Sequence, residues 1–266
     1  MISNIIKNKS TKLFIFLAGF FITNAFIAEV IGVKIFSLED TMGIKPFAIP
    51  LFGNSFSFNL TAGVLLWPVV FIMTDIINEY YGERGVKFLS YLTVCLLAYA
   101  FFMYYFAIHL VPASWWNGSK VEQGVPNMQA AYAQIFGQGI AIIVGSLVAF
   151  LIGQIVDVVI FHKIKQWSGE KYIWLRATGS TIVSQFIDSF VVLMIAFYWY
   201  PKYISEANGK AWPFALVMSI CIGNYIYKFI IAVVLTPVIY IVHYFIEIYL
   251  GKETATAMKN AALKAK

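Results

Sequence analysis

Long apolar stretches, separated by short polar segments, dominate the pattern of the chain. A helix needs roughly 18–20 consecutive apolar residues to cross a bilayer. Six stretches meet that requirement, and their approximate limits are residues 13–35, 60–81, 87–111, 136–161, 175–200 and 212–247. The last stretch is long enough to be tilted, or broken near Pro237. The pattern therefore predicts an all-α integral membrane protein, a bundle of six transmembrane helices.

The loop between the first two predicted spans contains the stretch FGNSFSFNL. Its Gly53-Asn54 pair stands beside alternating apolar and polar residues, which predicts a short hairpin or a re-entrant turn. No loop is long enough to hold a soluble domain. We therefore predict a single six-span transmembrane domain over residues 1–250 and a polar, basic C-terminal tail over residues 251–266.

Composition supports this class of protein. Apolar residues form 61% of the chain and charged residues 12%. Soluble domains have roughly 45–50% apolar and about 25% charged residues, so an ordinary soluble domain is excluded. The net charge is +6, and we attribute it to loop lysines that orient the chain in the membrane rather than to nucleic-acid binding.

The basic residues also predict the orientation, because cytoplasmic loops of membrane proteins are enriched in lysine and arginine. Of the 19 lysines and arginines, thirteen fall on the side that holds both chain termini and five on the other side. The remaining one, Lys228, lies inside the last predicted span. Both termini are therefore predicted to be cytoplasmic, in agreement with an even number of spans.

Several predicted spans carry charged and amide side chains where apolar ones are expected. A charge near the bilayer centre costs ~2.5–3.5 kcal/mol, so such groups face a polar interior rather than lipid. In the second span Asp75, Asn78 and Glu79 are three and four residues apart, which places them on one helical face. The predicted substrate-binding set is Asp75, Asn78, Glu79, Gln154, Asp157, Gln185, Asp188, Asn224 and Lys228.

Local charge neutralisation is the alternative to a shared polar interior. In that case the charged residues would form three ion pairs. These are Asp157 with Lys163 or Lys165, Glu79 with Arg84, and Asp188 with Lys228 as a latch between spans. Intramembrane hydroxyls often only tie helices together, at ~0.6 kcal/mol per hydrogen bond. We expect this tying role for Ser146, Thr181 and Ser184.

The chain lacks the sequence motifs of several other classes of protein. It has no GxxxxGK[ST] loop for nucleotide phosphates, no GxSxG elbow, no HExxH and no cluster of cysteine and histidine. We therefore expect no metal site, no cofactor and no enzymatic activity. An intramembrane aspartyl protease or transferase is the weakest alternative, because the GxGD motif is absent as well.

Four segments together resemble the signature stretches of a known family. They are WPVVFIMTDIINEYYGER, GQIVDVVIFHKIK, WLRATGSTIVSQFIDS and YKFIIAVVLTPVIY, and the resemblance extends from about residue 24 to residue 240. The family is that of the queuosine precursor transporters, also called vitamin uptake transporters. The resemblance implies a carrier in the bacterial inner membrane that imports 7-cyano- or 7-aminomethyl-7-deazaguanine for salvage into a tRNA modification.

The implied substrate assigns roles to the polar residues. A guanine-type base presents its N1–H and 2-amino group side by side, and one carboxylate can accept both hydrogen bonds. An amide, which has both a donor and an acceptor, can read the O6 edge. We expect base reading by Asp188 or Glu79, edge reading by Asn78, Gln154 and Gln185, and charge balancing or gating by Asp75, Asp157 and Lys228.

The resemblance also implies the partners of the chain, which are a purine-like small molecule and the lipid bilayer, without nucleic acid. A homo-oligomer is compatible with the sequence. With no ATP-binding motif, the chain would work as a facilitator or as an ion-coupled carrier. The alternative is a substrate-binding membrane subunit that depends on a separate ATP-driven module.

Overall fold

Helices account for most of the structure. The computed structural model describes residues 7–46, 49–51, 54–169, 172–203 and 211–264. Within those residues, the helices long and apolar enough to cross a membrane are Lys9–Ile31, Trp67–His109, Met128–Ser168, Ile173–Tyr203 and Phe214–Val234, and a shorter apolar helix is Thr236–Leu250. These long apolar helices confirm the prediction of an all-α membrane protein.

The elements are numbered along the described chain. The α-helices are α1 (Lys9–Ile31), α2 (Leu38–Thr41), α3 (Trp67–His109), α4 (Met128–Gly137), α5 (Ile140–Ser168), α6 (Ile173–Leu193), α7 (Tyr200–Tyr203), α8 (Phe214–Val234), α9 (Thr236–Leu250) and α10 (Lys252–Lys264). Short 3₁₀ turns cover Ala62–Leu65 and Val121–Gln123, and a π-helical stretch covers Met194–Trp199. The strands are β1 (Ile35–Ser37), β2 (Ile49–Leu51), β3 (Asn54–Phe56) and β4 (Asn59–Thr61).

Gly82 interrupts α3, the longest helix. Its φ of 72° and ψ of −178° are not helical, and that region of backbone space is accessible essentially only to glycine. A Cβ atom at this position would also lie 3.1 Å from the carbonyl oxygen of Ala262 in α10. The glycine therefore allows both the break in the helix and the close approach of α10.

The two halves of α3 run in opposite directions along α1. Next to the break, the Tyr81 hydroxyl donates a 2.7 Å hydrogen bond to the carbonyl oxygen of Ser10, at the beginning of α1. Gly63, just before α3, packs against Ala28 near the end of α1. Tyr104, far beyond the break, lines a hollow with that same end of α1. The break thus falls between the second and third spans that the sequence predicted.

Replacing Gly82 with alanine should destabilise the protein by about 1–3 kcal/mol, because alanine would be forced into a backbone conformation that only glycine tolerates. The measurement is the apparent melting temperature of the purified protein in detergent. Gly19→Ala is the matched control, since Gly19 lies within α1 with no atom near its missing side chain. Equal melting temperatures for the two variants would contradict the prediction.

Proline and a capping side chain explain two helix boundaries. Asn8 precedes α1 and its side-chain oxygen accepts hydrogen bonds from the backbone N–H groups of Ser10 and Thr11. Pro237 lies in the first turn of α9, where its lack of an N–H group is tolerated, and the helix axis is interrupted between α8 and α9. The predicted break of the last apolar stretch near Pro237 is confirmed.

The loop between α1 and α3 contains two small antiparallel strand pairs. β1 pairs with β4, and β2 pairs with β3 in the register Ile49 to Phe56. The second pair is the short hairpin that the sequence predicted, although residues 52–53, including Gly53 of the predicted turn, lie outside the described residues.

Residues 252–264, predicted only as a polar tail, form the helix α10. Ala255 and Ala262 are buried against the rest of the protein. Lys259 Nζ lies 2.5 Å from a carboxylate oxygen of Glu247 in α9 and 5.5 Å from the ring centroid of Tyr80. The C-terminal helix therefore covers the end of the bundle at which α3 breaks.

The distribution of polar and apolar side chains is that of a membrane protein. Phe16, Phe102 and Phe245 are 68%, 58% and 63% exposed on the outside of the bundle. Glu79 and Asp157 are completely buried. Since lipid solvates apolar surface while interior polar groups need partners, this arrangement predicts that the buried polar groups contact one another.

Candidate functional site

The polar face of α3 points into the bundle. Asp75, Asn78 and Glu79 lie on one side of the helix and are 2%, 2% and 0% exposed. The Asp75 carboxylate accepts long hydrogen bonds from α6, at 3.5 Å from Ser180 Oγ and 3.4 Å from Thr181 Oγ1. This face of α3 is therefore part of a polar interface between helices, as its spacing predicted.

Glu79 is held by two cations from other helices. Arg176 Nε and Nη2, from α6, donate to its two carboxylate oxygens at 3.1 and 2.9 Å. Lys165 Nζ, from α5, lies 3.1 Å from one of the same oxygens. The alternative that Glu79 pairs with Arg84 is wrong in its partner, because the cations come from helices distant in the sequence.

The Glu79 cluster joins three helices. Arg176 also donates a 2.8 Å hydrogen bond to the carbonyl oxygen of Gly169, at the end of α5. Both oxygens of Glu79 are engaged, so a ligand can reach this carboxylate only if Arg176 or Lys165 moves. The geometry therefore favours Glu79 as a tie between α3, α5 and α6 over Glu79 as a reader of a base.

Asp157 of α5 has no cationic partner among the described residues. One of its carboxylate oxygens accepts a 3.0 Å hydrogen bond from Ser184 Oγ, and the other, Oδ2, is buried without a hydrogen-bond partner. The alternative of an ion pair with Lys163 or Lys165 is wrong, because Lys165 turns to Glu79 instead.

Asp188 and Lys228 form the ion pair that the sequence offered as a latch. Lys228 Nζ of α8 lies 2.6 Å from Asp188 Oδ2 of α6. The lysine side chain is 8% exposed and the aspartate side chain 17% exposed. The ion pair itself is confirmed, and Asp188 is the most accessible of the carboxylates predicted for the site.

Three buried amides have incomplete hydrogen bonding within the described part of the chain. The Thr74 hydroxyl donates to Gln154 Oε1 at 2.8 Å, but Gln154 Nε2 has no partner. Gln185 Nε2 and both amide atoms of Asn78 also have none. An unsatisfied buried polar group costs ~1–3 kcal/mol, which points to water or a ligand as the missing partner.

The hydroxyls predicted as helix ties do connect helices. Ser146 of α5 donates a hydrogen bond to the carboxylate of Glu29 in α1. Thr181 and Ser184 of α6 donate to Asp75 and Asp157, respectively. Because each of the three acceptors is a buried carboxylate, these hydroxyls also provide hydrogen bonds to groups that would otherwise have few donors.

A small cavity opens at the centre of this arrangement. Its volume is about 20 Å³, which is room for roughly one water molecule. It is lined by Pro68, Phe71, Ile72, Asp75, Thr178, Thr181, Gln185, Lys228, Ala232, Leu235 and Ile239. A carboxylate, an amide and an ammonium group therefore meet apolar walls at the junction of α3, α6, α8 and α9.

The predicted site residues divide into four groups by their position. Asp75, Gln185 and Lys228 line the cavity, and Asp188 is bound to Lys228 at its edge. Asn78, Gln154 and Asp157 are buried on the polar faces of α3 and α5, and Glu79 lies in the cluster with Arg176 and Lys165. Asn224 stands apart, because its amide donates to the carbonyl oxygen of Ile220 in its own helix at 3.0 Å.

Sequence reasoning missed Arg176, which binds Glu79, and Thr178, which lines the cavity. In the sequence analysis Arg176 was only one of the thirteen basic residues that predict the orientation. The structure places it in the Glu79 cluster, where it is 1% exposed. A signal was available, since Arg176, Ser180 and Ser184 are spaced by four residues and so share one face of α6. That face carries the donors for the carboxylates of α3 and α5.

Comparison with known proteins identifies the family. Residues 61–242 match the family described as "Putative vitamin uptake transporter". The chain belongs to this family. The matched region contains all of the predicted site residues, and it also contains Arg176 and Lys165.

Curated relatives of the chain are named as transporters. A "Probable queuosine precursor transporter" of Bacillus subtilis (strain 168) is 28% identical over 186 residues, which cover 70% of this chain and 72% of the relative. A protein of the same name from Haemophilus influenzae is 28% identical over 148 residues, or 54% and 55% of the two chains. The "Queuosine precursor transporter" of Escherichia coli (strain K12) is 25% identical over 180 residues, or 66% and 69%. No solved structure matches the chain.

Proposed function

We propose that the protein imports a queuosine precursor, 7-cyano- or 7-aminomethyl-7-deazaguanine, across the bacterial inner membrane. The relatives named as queuosine precursor transporters support the substrate class. The observation that carries the proposal is the cavity at which Asp75, Gln185 and Lys228 converge from three helices. Ionisable groups inside a membrane protein are costly and mark substrate or ion pathways.

We further propose six membrane crossings with both termini in the cytoplasm. The reversal of α3 at Gly82 supplies two antiparallel segments from one long helix. The remaining crossings are α1, α5, α6, and the apolar stretch of α8 with α9. The excess of lysine and arginine on the side of the termini supports the orientation.

The residues around the cavity suit the chemistry of a guanine-type base. Asp188 is the accessible carboxylate, and the base can take the place of Lys228 by donating its N1–H and 2-amino group. The amide of Gln185 lies one turn before Asp188 and can read the O6 edge. The ring can pack between apolar walls that include Phe71 and Ile239.

The conformation described here is closed around this site. A cavity of about 20 Å³ is far smaller than the roughly 300–1,000 Å³ of ordinary small-molecule pockets. Substrate entry therefore requires the helices that line the cavity, α3, α6, α8 and α9, to separate. The junction between α8 and α9, at Leu235 and Pro237, is a suitable hinge because the helical hydrogen bonding is interrupted there.

Uptake into proteoliposomes tests the proposal directly. The purified chain, reconstituted alone, should take up radiolabelled 7-cyano-7-deazaguanine, and unlabelled 7-aminomethyl-7-deazaguanine should compete with it. Empty liposomes and liposomes with the Lys228→Met variant are the controls, since Lys228 lines the cavity. Tight binding without uptake would instead favour a membrane subunit that needs an ATP-driven module, and neither binding nor uptake would overturn the proposed substrate.

A further inference from the structure

Two of the four carboxylates predicted for the site are buried and have no counter-ion among the described residues. Asp75 and Asp157 are 2% and 0% exposed, and neither forms an ion pair with any described residue. The other two carboxylates of the site behave differently, since Glu79 is held by Arg176 and Lys165 and Asp188 by Lys228. The absence of a cation therefore distinguishes Asp75 and Asp157 from their neighbours.

The two carboxylates form a pair across the interface of α3 and α5. Thr181 and Ser184, three residues apart on one face of α6, donate to one carboxylate each, which places the two carboxylates beside the same turn of that helix. Ser180 and Thr181 donate to Asp75 and Ser184 donates to Asp157, so hydroxyls of α6 donate hydrogen bonds to both groups. Two ionised carboxylates this close, both buried and without a cation, are strongly disfavoured.

Unpartnered atoms next to the pair point to a missing ligand. Asp157 Oδ2 has no hydrogen-bond partner among the described residues. Gln154, one turn before Asp157, accepts from Thr74, the neighbour of Asp75, while its Nε2 is left without a partner. A proton on one carboxylate would remove a buried charge and provide a donor where the pair has only acceptors.

The described cations near this pair of carboxylates are bound to other carboxylates. Glu79 lies one turn along α3, and the two cations beside it, Arg176 and Lys165, are bound to Glu79 itself. Lys228 of α8 lines the same cavity as Asp75, but its ammonium group is bound to Asp188. The hydroxyls of α6 are neutral, so none of the described groups forms an ion pair with either carboxylate.

We propose that Asp75 and Asp157 form a proton-binding site that couples substrate uptake to the proton gradient. The inference rests on the proposed function. Asp75 lines the cavity, so its charge is felt by a substrate there, while Asp157 lies behind it against α6. One proton bound outside to a carboxylate oxygen makes the pair less negative, allows the cavity to close over the substrate, and is released inside when the cavity opens.

Proteoliposomes with the membrane potential clamped at zero test this inference. For one proton per neutral substrate, an inward gradient of one pH unit sustains about tenfold accumulation of 7-cyano-7-deazaguanine. Asp75→Asn and Asp157→Asn should lose that accumulation and the substrate-induced proton entry reported by a trapped pH dye. Asp157→Asn, whose side chain does not line the cavity, should retain exchange of labelled for unlabelled substrate, which shows that this variant is folded and binds. Glu83→Gln, at a partly exposed ion pair with Lys87, should behave as wild type.

The outcomes separate this inference from the proposed function. Wild-type uptake that follows a sodium gradient, or that only equilibrates the substrate, overturns proton coupling while import stands. Variants that accumulate substrate as wild type does overturn the assignment to Asp75 and Asp157. An Asp157→Asn variant that loses exchange as well as accumulation contradicts it in favour of a direct substrate-binding role. A wild-type chain that neither binds nor transports any deazaguanine overturns the proposed function and this inference with it.

Discussion

Replacing Arg176 with methionine should lower the stability of the protein by about 3 kcal/mol, which is the lower end of the cost of breaking a buried ion pair. Arg176 is 1% exposed and supplies two hydrogen bonds to Glu79 and one to the carbonyl oxygen of Gly169. Lys165 would remain beside Glu79, so the loss is not complete. The measurement is thermal and denaturant unfolding of the purified variant in detergent.

A double-mutant cycle makes this prediction specific. Glu79→Gln alone should be at least as damaging as Arg176→Met, because it leaves Arg176 and Lys165 as adjacent buried cations without their carboxylate. In the Glu79→Gln background, adding Arg176→Met should therefore be neutral or stabilising, which reverses the sign of its effect.

The matched control for this cycle is Lys87→Met. Lys87 pairs with Glu83 four residues away, where both side chains are partly exposed. A pair of this kind contributes ~0–1 kcal/mol. If Arg176→Met costs no more than Lys87→Met, or if the two cluster substitutions are simply additive, the cluster does not hold α3, α5 and α6 together.

The polar faces within single helices could be predicted from the sequence, because helical spacing alone determines which side chains share a face. The i, i+3, i+4 spacing of Asp75, Asn78 and Glu79 placed them on one buried side of α3, and the structure agrees. The long apolar stretches likewise predicted the helices, and Pro237 predicted the break between α8 and α9.

The partners across helices could not be predicted, because they depend on how the helices pack. Glu79 has Arg84 five residues away in sequence, yet its cations are Lys165 and Arg176. Asp157 has lysines six and eight residues away and pairs with neither. Sequence proximity is a poor guide in both cases because residues near a carboxylate along one helix need not share its face.

The Asp188–Lys228 pair could be predicted from the sequence for a different reason. Each residue carries a charge deep in an apolar stretch, so each needs a partner of opposite sign, and few candidates exist. The cavity beside this pair could not be predicted, because its dimensions depend on the packing of α3, α6, α8 and α9. The position of α10 over the end of the bundle could not be predicted either, because it depends on packing. Gly82 is visible in the sequence, but its close contact with Ala262 of α10 is not.

Replacing Asp188 with asparagine should weaken binding of 7-cyano-7-deazaguanine by about 30-fold or more. Loss of one partner from a buried, hydrogen-bonded charged contact costs ~2–5 kcal/mol, and each 1.4 kcal/mol is tenfold in affinity. Asparagine has nearly the shape of aspartate but one acceptor oxygen and no charge, so it cannot accept both the N1–H and the 2-amino hydrogens of the base. The measurement is equilibrium binding to the purified protein.

An analogue without the 2-amino group distinguishes base reading from a structural role. The wild-type protein should bind the guanine-type compound much more tightly than this analogue, because the carboxylate is then left with an unused acceptor. Asp188→Asn should bind the two compounds with similar, weak affinity. Asp188→Asn combined with Lys228→Gln removes both charges of the ion pair and should restore stability without restoring discrimination.

These outcomes bear on the choice among the buried carboxylates. Glu79 is occupied by two cations, and Asp75 and Asp157 lie against the hydroxyls of α6, whereas Asp188 is held by one flexible lysine that a ligand can displace. If Asp188→Asn kept wild-type affinity and discrimination, Asp188 would be only a tie between α6 and α8. Asp75, which lines the cavity, would then be the remaining carboxylate able to read the base, and its substitution should abolish exchange as well as accumulation.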